Sequence, residues 1–129
     1  MTHGIGHENF FWESAASAIS AVVLGNGVSG GTGAQSGLKD HQSGLGLQFS
    51  AEVGEAVAKA RLTRAHANDL VKRIMAKYQP TIDSHPAHKM GGDFRECYNL
   101  VTVQPQKWYM DMYDKVKKEL TQMGLPMEY

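Results

Sequence analysis

Between Gly25 and Gly46 the chain places eight of its 14 glycines in 22 residues: Gly-Asn-Gly-Val-Ser-Gly-Gly-Thr-Gly-Ala-Gln-Ser-Gly-Leu-Lys-Asp-His-Gln-Ser-Gly-Leu-Gly. Glycine reaches backbone angles that other residues avoid and lets backbone or ligand approach closely, at an entropic cost when it is ordered. Such a stretch is a packed loop at a site, a structural loop or a linker. A linker is Gly/Ser with little else. This one carries Gln35, Lys39, Asp40, His41 and Gln42, polar groups that a spacer does not need, and the balance favours a packed functional loop. The segment before it is apolar and small; the segment after it is helical and charged.

Glu8 to Leu24 reads as a helix capped by Asn9. Phe10, Phe11 and Trp12 open it, and Ala15, Ala16, Ala18, Ile19, Ala21, Val22, Val23 and Leu24 fill it. A helix that is apolar all round is buried on every side. Ile19 to Leu24 also reads as a buried strand, because short apolar runs are ambiguous by periodicity alone. Val28 to Ala34 is a candidate short strand, with Gln35 to Gln48 as the loop leaving its C-terminal end, where α/β architectures bind ligands.

Ser50 is the expected N-cap of the next helix, with Glu52 in its first turn and Val53, Ala56, Val57 and Ala60 as its apolar stripe. Thr63 caps a third helix to about Tyr78, which Pro80 should stop. Ala67, Leu70, Val71, Ile74, Met75 and Tyr78 form its core seam, and Arg64, Lys72, Arg73 and Lys77 its other face. Gln79 to Asp93, with His85 and His88, reads as a surface loop. A short helix over Phe94–Tyr98 and an extended connector over Asn99–Val103 lead to a last helix with Pro105 in its first turn. That helix carries Trp108, Tyr109, Met112, Tyr113, Val116, Leu120 and Met123 at 3–4 spacing. It offers the ion pairs Asp111–Lys115 and Asp114–Lys118, and Gly124 as its C′ residue.

Thirteen basic and 13 acidic residues balance. A phosphate-backbone binder carries a basic surplus, so nucleic acid is not an expected partner. No run of about 18 apolar residues predicts a membrane span, and Met1 to Glu8 lacks a basic segment leading into an apolar run. A single cysteine, Cys97, reads as a small buried residue, and a cytoplasmic setting is the default expectation. His3 and His7 are four apart, but Gly4 and Gly6 between them argue against one helical face, so no metal site is expected.

The first helix needs neighbours on all sides, yet strands for it to lie on are nearly absent, and one strand of a parallel sheet cannot stand alone. The fold class expected is α/β: the C-terminal fragment of a (β/α)8 TIM barrel plus a helical tail, with this chain itself mostly α-helical and holding at most one or two short strands. Residues 1–60 would be the last barrel unit or units with the Gly-rich loop 25–46, and residues 61–129 a C-terminal helical extension.

Three segments carry a family resemblance. Phe94-Arg-Glu-Cys-Tyr-Asn-Leu-Val-Thr-Val-Gln-Pro, then Tyr109-Met-Asp-Met-Tyr-Asp-Lys-Val-Lys-Lys-Glu-Leu, then Met123-Gly-Leu-Pro-Met-Glu-Tyr129 resemble the C-terminal end of the monomethylamine methyltransferases of methylotrophic methanogens. Gly33-Ala-Gln-Ser-Gly and Gly54-Glu-Ala-Val-Ala resemble that family as well. The resemblance implies a TIM barrel several times longer than this chain. It implies transfer of a methyl group from monomethylamine to the Co(I) of a cognate corrinoid protein, with release of ammonia. The family's hallmark is a pyrrolysine, encoded by an in-frame amber codon, whose imine ring orients the amine. That residue lies upstream of the region matched, so this chain cannot hold the complete site. The resemblance further implies a homo-oligomeric full-length protein and a corrinoid (cobalamin) carried by the partner rather than bound directly.

On this chain the candidate active-face or partner-facing residues are His3, Gln35, Lys39, Asp40 and His41. Gln35 can hydrogen-bond a substrate amine or the neighbouring imine; Lys39, Asp40 and His41 suit contact with the corrinoid protein or the next subunit. The family's catalytic carboxylates have no assigned counterpart in this chain. The alternatives are a non-enzymatic helical interaction module, which has no need for eight glycines beside a polar cluster, and a small standalone enzyme, which lacks a second polar group to pair with the first.

Overall fold

The computed structural model describes residues 3–27, 42–84 and 93–127. Among the described residues five helices occur in order: α1 Glu8–Val23, α2 Gly44–Ala60, α3 Arg64–Ser84, α4 Phe94–Cys97 and α5 Lys107–Gln122. No strand occurs among the described residues; an isolated bridge joins Tyr98 and Pro105. The chain is mostly helical, as expected. The candidate strand Val28–Ala34 lies outside the described residues.

The central element is α1, which packs against α2, α3 and α5. Its N-cap is His7 rather than Asn9: the neutral ring nitrogen Nδ1 accepts from the Asn9 amide at 3.0 Å. At its other end Gly25 adopts φ +82°. The Gly25 amide bonds to the Val22 carbonyl and the Asn26 amide to the Ala21 carbonyl, the paired bonds of a Schellman ending. The first glycine of the rich stretch is therefore a helix stop.

Helix α2 begins six residues before the expected Ser50. Its cap is Ser43, whose Oγ accepts from the Gly46 amide at 3.1 Å. The same Oγ lies 3.0 Å from the Tyr98 hydroxyl and 2.8 Å from that of Tyr109. Those distant partners fix the start, so Gly44 and Gly46 join the helix and Ser50 is buried in its interior.

Pro80 does not stop α3. The helix runs on to Ser84, whose hydroxyl donates to the Pro80 carbonyl at 2.9 Å. Thr81, one residue past the proline, is held by α1 through a bond from Asn9 Nδ2 at 3.2 Å. Tertiary contact here outweighs the amide that proline lacks. Ala67, Leu70 and Ile74 form the buried seam, whereas Met75 lies on the rim, 39% exposed.

Asn99–Val103 is a tight turn rather than an extended connector. The Val103 amide bonds to the Asn99 carbonyl and the Asn99 amide to the Gln104 carbonyl, both at 2.8 Å. Helix α5 then starts at Lys107 behind its N-cap Gln106, so Pro105 precedes the helix instead of sitting in its first turn. Tyr109, Tyr113, Val116 and Leu120 are buried as expected, but Trp108 is half-exposed. Asp111 meets Lys107 at 2.7 Å, and Lys115 reaches across to Glu8 at 2.7 Å. Gly124, at φ +103°, is the predicted C′ residue, and the buried Leu125 closes this helix end with an amide bond to the Leu120 carbonyl.

Candidate functional site

Glu13 is a carboxylate inside the most apolar helix of the chain. A buried charge or polar group is retained only with partners, and the first partner is His3. A turn closed by the His7 amide on the Gly4 carbonyl folds the N-terminal segment back over α1. It sets His3 Nδ1 2.6 Å from Glu13 Oε1, with the His3 ring fully buried. Asn9, one helical turn before Glu13 on the same face, places its Nδ2 3.4 Å from His3 Nε2 and 3.2 Å from Thr81 Oγ1. One tautomer serves every member: Nδ1–H donates to Glu13, and Nε2 accepts from Asn9. The His7 ring lies 4.8 Å from that of His3. Burial first, and His3 second, push the His7 imidazole below its ordinary value of 6.5, against the pull of Glu8 and Glu13. Burial, then Glu13, pushes the Tyr78 hydroxyl above 10.

This is a proton-bearing centre of imidazole, carboxylate and amide, sealed between α1 and α3. Beside it, Glu8 pairs with Lys115, and Lys77 sits 4.7 Å above the Trp12 ring.

A second charged network joins α2 to α5. Lys117, itself buried, lies 2.8 Å from Glu52 Oε2. The Tyr113 hydroxyl donates to Glu52 at 2.7 Å, and Gln48 Nε2 donates to the same carboxylate at 2.8 Å. These groups border a cavity of about 490 Å³.

Of the candidate residues named from sequence, the structure places His3 in the first network. Gln35, Lys39, Asp40 and His41 lie outside the described residues, as do His85 and His88. Asn9, Glu13 and Thr81 carry no site role in the sequence reading. The signal for Glu13 was there, a carboxylate amid alanines on a mostly apolar helix; Thr81 had none, since the helix was expected to end before it. Cys97 is buried, and burial, with Glu96 and Asp93 nearby, pushes its thiol up to about 12, so it is no nucleophile. Among the described residues no group of three or more His, Cys, Asp or Glu is placed to hold a metal ion, and no helix is long and apolar enough to cross a membrane.

The helical assembly is similar to part of known enzymes, the monomethylamine methyltransferases. The crystal structure of the Methanosarcina barkeri monomethylamine methyltransferase MtmB superposes with a TM-score of 0.84 at 27% identity, over 98% of this chain and 27% of that one. A hydroxylamine complex of MtmB matches with a TM-score of 0.82. In sequence, MtmB2 of Methanosarcina acetivorans is 32% identical over 123 residues, 95% of this chain and 26% of the relative. MtmB2 of M. barkeri strain Fusaro is 30% identical over 114 residues. The family model for monomethylamine methyltransferase MtmB matches residues 1–125. The chain belongs to the monomethylamine methyltransferase MtmB family, and it spans about a quarter of the length of the relatives it matches.

Proposed function

We propose that this chain is the C-terminal part of a methyltransferase that moves the methyl group of monomethylamine to the Co(I) of a corrinoid carried by a partner protein, releasing ammonia. The observation that carries the reading is the match of nearly the whole chain to MtmB in both sequence and structure. In the reaction the amine reacts as methylammonium: the C–N bond breaks with its pair going to nitrogen, neutral ammonia leaves, and the methyl group passes to the Co(I) of the acceptor, whose electron pair makes the new bond. Holding amine and acceptor in line is worth up to roughly 7–11 kcal/mol in the best models, a task for residues supplied by the rest of the barrel, pyrrolysine among them.

In this reading residues 1–60 close the barrel and residues 61–129 extend it, in a cytoplasmic homo-oligomer. Gln35 is assigned to the substrate amine or the neighbouring imine, and Lys39, Asp40 and His41 to contact with the corrinoid protein or the next subunit. The His3–Glu13 pair anchors the segment that enters from the barrel, so its role is positioning.

The test is transfer of the methyl group of monomethylamine to a Co(I) corrinoid protein, followed by the change in corrinoid absorbance. The chain alone should give no turnover, and the chain continuous with the upstream three quarters of a family member should give it. A continuous protein that folds and binds corrinoid protein but leaves Co(I) unmethylated would overturn the reading.

A further inference from the structure

The chain has four asparagines: Asn9, Asn26, Asn68 and Asn99. An asparagine can react with its own backbone, when the amide nitrogen of the next residue attacks the side-chain carbonyl carbon. That step needs a following nitrogen that is uncrowded and free of a helical hydrogen bond. Three of the four fail it. The nitrogen after Asn9 belongs to Phe10 and donates to the His7 carbonyl at 3.0 Å, and Asn9 is itself buried. Asn68 lies within α3, where the next amide belongs to the helical ladder. Asn99 is followed by Leu100, whose side chain crowds the nitrogen, and its Oδ1 already accepts from the Val101 and Thr102 amides at 2.9 and 3.1 Å.

Asn26 meets both conditions. It lies beyond the end of α1 at Val23 and directly after the Gly25 helix stop. The bond from its amide to the Ala21 carbonyl at 2.8 Å fixes it on the helix side. On the other side stands Gly27, which has no side chain to hinder its nitrogen. Both residues are exposed, and among the described residues no heavy atom lies within 4 Å of where a Gly27 Cβ would stand. We propose that Asn26 is a modification site at which the folded chain converts itself, through a succinimide, to isoaspartate and aspartate. In the first step the Gly27 nitrogen bonds to Asn26 Cγ, the Cγ–Nδ2 bond breaks with its pair going to nitrogen, and the proton lost by the Gly27 amide leaves on ammonia. Water then opens the ring. Attack at Cγ restores the ordinary link and gives aspartate. Attack at the main-chain carbonyl carbon leaves the chain running through Cγ and gives isoaspartate. Either product sets a carboxylate beside the last carbonyls of α1, where the helix dipole disfavours it. Isoaspartate also adds a methylene to the backbone between α1 and the Gly-rich stretch. The site rests on Asn26 and Gly27 and is independent of the methyl-transfer reading.

The experiment is incubation of the folded chain in mildly alkaline buffer. Each asparagine-containing peptide is followed by mass spectrometry, and isoaspartate is counted with a protein isoaspartyl methyltransferase and labelled S-adenosylmethionine. Asn26 should convert first, with isoaspartate among the products, while Asn9, Asn68 and Asn99 stay intact. Gly27→Ala has room for its methyl group and no left-handed backbone angle to strain. Its thermal melt should match wild type, while conversion slows on the order of tenfold, the effect of about 1.4 kcal/mol on a barrier. Asn26 in the chain unfolded by urea should convert at a rate comparable with that of the folded chain, because the fold leaves the site open. Absence of conversion, faster conversion at Asn68 or Asn99, or an undiminished rate in Gly27→Ala would each overturn the proposal. So would aspartate without isoaspartate, or protection of Asn26 by folding on the order of tenfold.

Discussion

The two faces of α1 make different use of burial. Phe11 points to α2 and α5, where it meets Phe49 at 5.0 Å and Tyr109 at 5.6 Å between ring centroids. At the start of α2 the polar groups on that side are hydroxyls: Ser43, Tyr98 and Tyr109 share hydrogen bonds. Burial pushes the Tyr109 hydroxyl far above 10. The opposite face, Asn9 and Glu13, points to α3 and carries the imidazole–carboxylate network. The first face is aromatic packing capped by hydroxyls. The second holds groups that titrate, and it continues into an open groove between α1 and α3. Aromatic packing is concentrated on one side of the helix and ionisable groups on the other.

The comparison breaks most completely at Phe11. Phe11→Ala opens a void against Phe49, Tyr109 and Tyr113 and should cost about 3–5 kcal/mol, a large fraction of a typical stability of roughly 5–15 kcal/mol. Urea denaturation would show it; a loss under about 1 kcal/mol would mean that the aromatic face is not the chain's core. Ser43→Ala comes next. It removes the α2 cap and strands the Tyr109 hydroxyl, for about 1–3 kcal/mol. Ser43→Thr keeps the oxygen and should recover most of that, whereas equal losses for both would show that volume, not hydrogen bonding, sets the site.

The aromatic face was legible in the sequence because its signal is periodic. Tyr109, Tyr113, Val116 and Leu120 repeat at helical spacing, and all are buried. Gly124 was legible because a left-handed C′ position favours glycine. The start of α2 was not legible, because Ser43 is chosen as cap by hydroxyls 55 and 66 residues away, and Gly44 and Gly46 belong by composition to the loop. The end of α3 was hidden for the same reason, since Thr81 is held by Asn9 across 72 residues. Of the candidate site, His3 could be picked out by type. Its partners could not, because the turn over α1 that brings it to Glu13 has no local signature beyond two glycines. Lys115 shows the limit of helix pairing rules: Asp111 is a good partner by spacing, yet the short contact is to Glu8 at 2.7 Å, where α5 crosses α1, with Glu119 on its own helix at 4.0 Å.

The titratable face is tested at His7. Its Nδ1 caps α1 only while it is unprotonated, since a protonated nitrogen cannot accept from the Asn9 amide. Burial holds the imidazole below 6.5 in the fold, so the unfolded chain takes up the proton first. Stability from this group is therefore fully present above pH 6.5 and is lost as pH falls through the lowered value. The loss is about 1 kcal/mol, the size of an N-cap. His7→Asn caps without titrating, so its stability should be flat over the range in which the wild type declines. A decline of the same size in both proteins would assign the sensitivity to other groups.

The smallest effect separates this face from the α2–α5 network. Burial raises the Glu52 carboxyl, but the hydrogen bonds from Lys117, Tyr113 and Gln48 outweigh it and hold the group below 4.5. The fold thus favours the carboxylate. Its contribution is present above pH 4.5 and is lost as pH falls through the lowered value, the same direction as for His7 but in a separate window. The carboxylate is partly open to water, which limits the contribution to well under about 1 kcal/mol. Stability measured against pH should show a component in each window in the wild type, Asp93 adding to the more acidic one through its Arg95 and backbone hydrogen bonds. Glu52→Gln should reduce only the more acidic one, and His7→Asn only the other. If Glu52→Gln flattened both, the two networks would be coupled through the aromatic core, and the division of α1 into a packed face and a titrating face would fail.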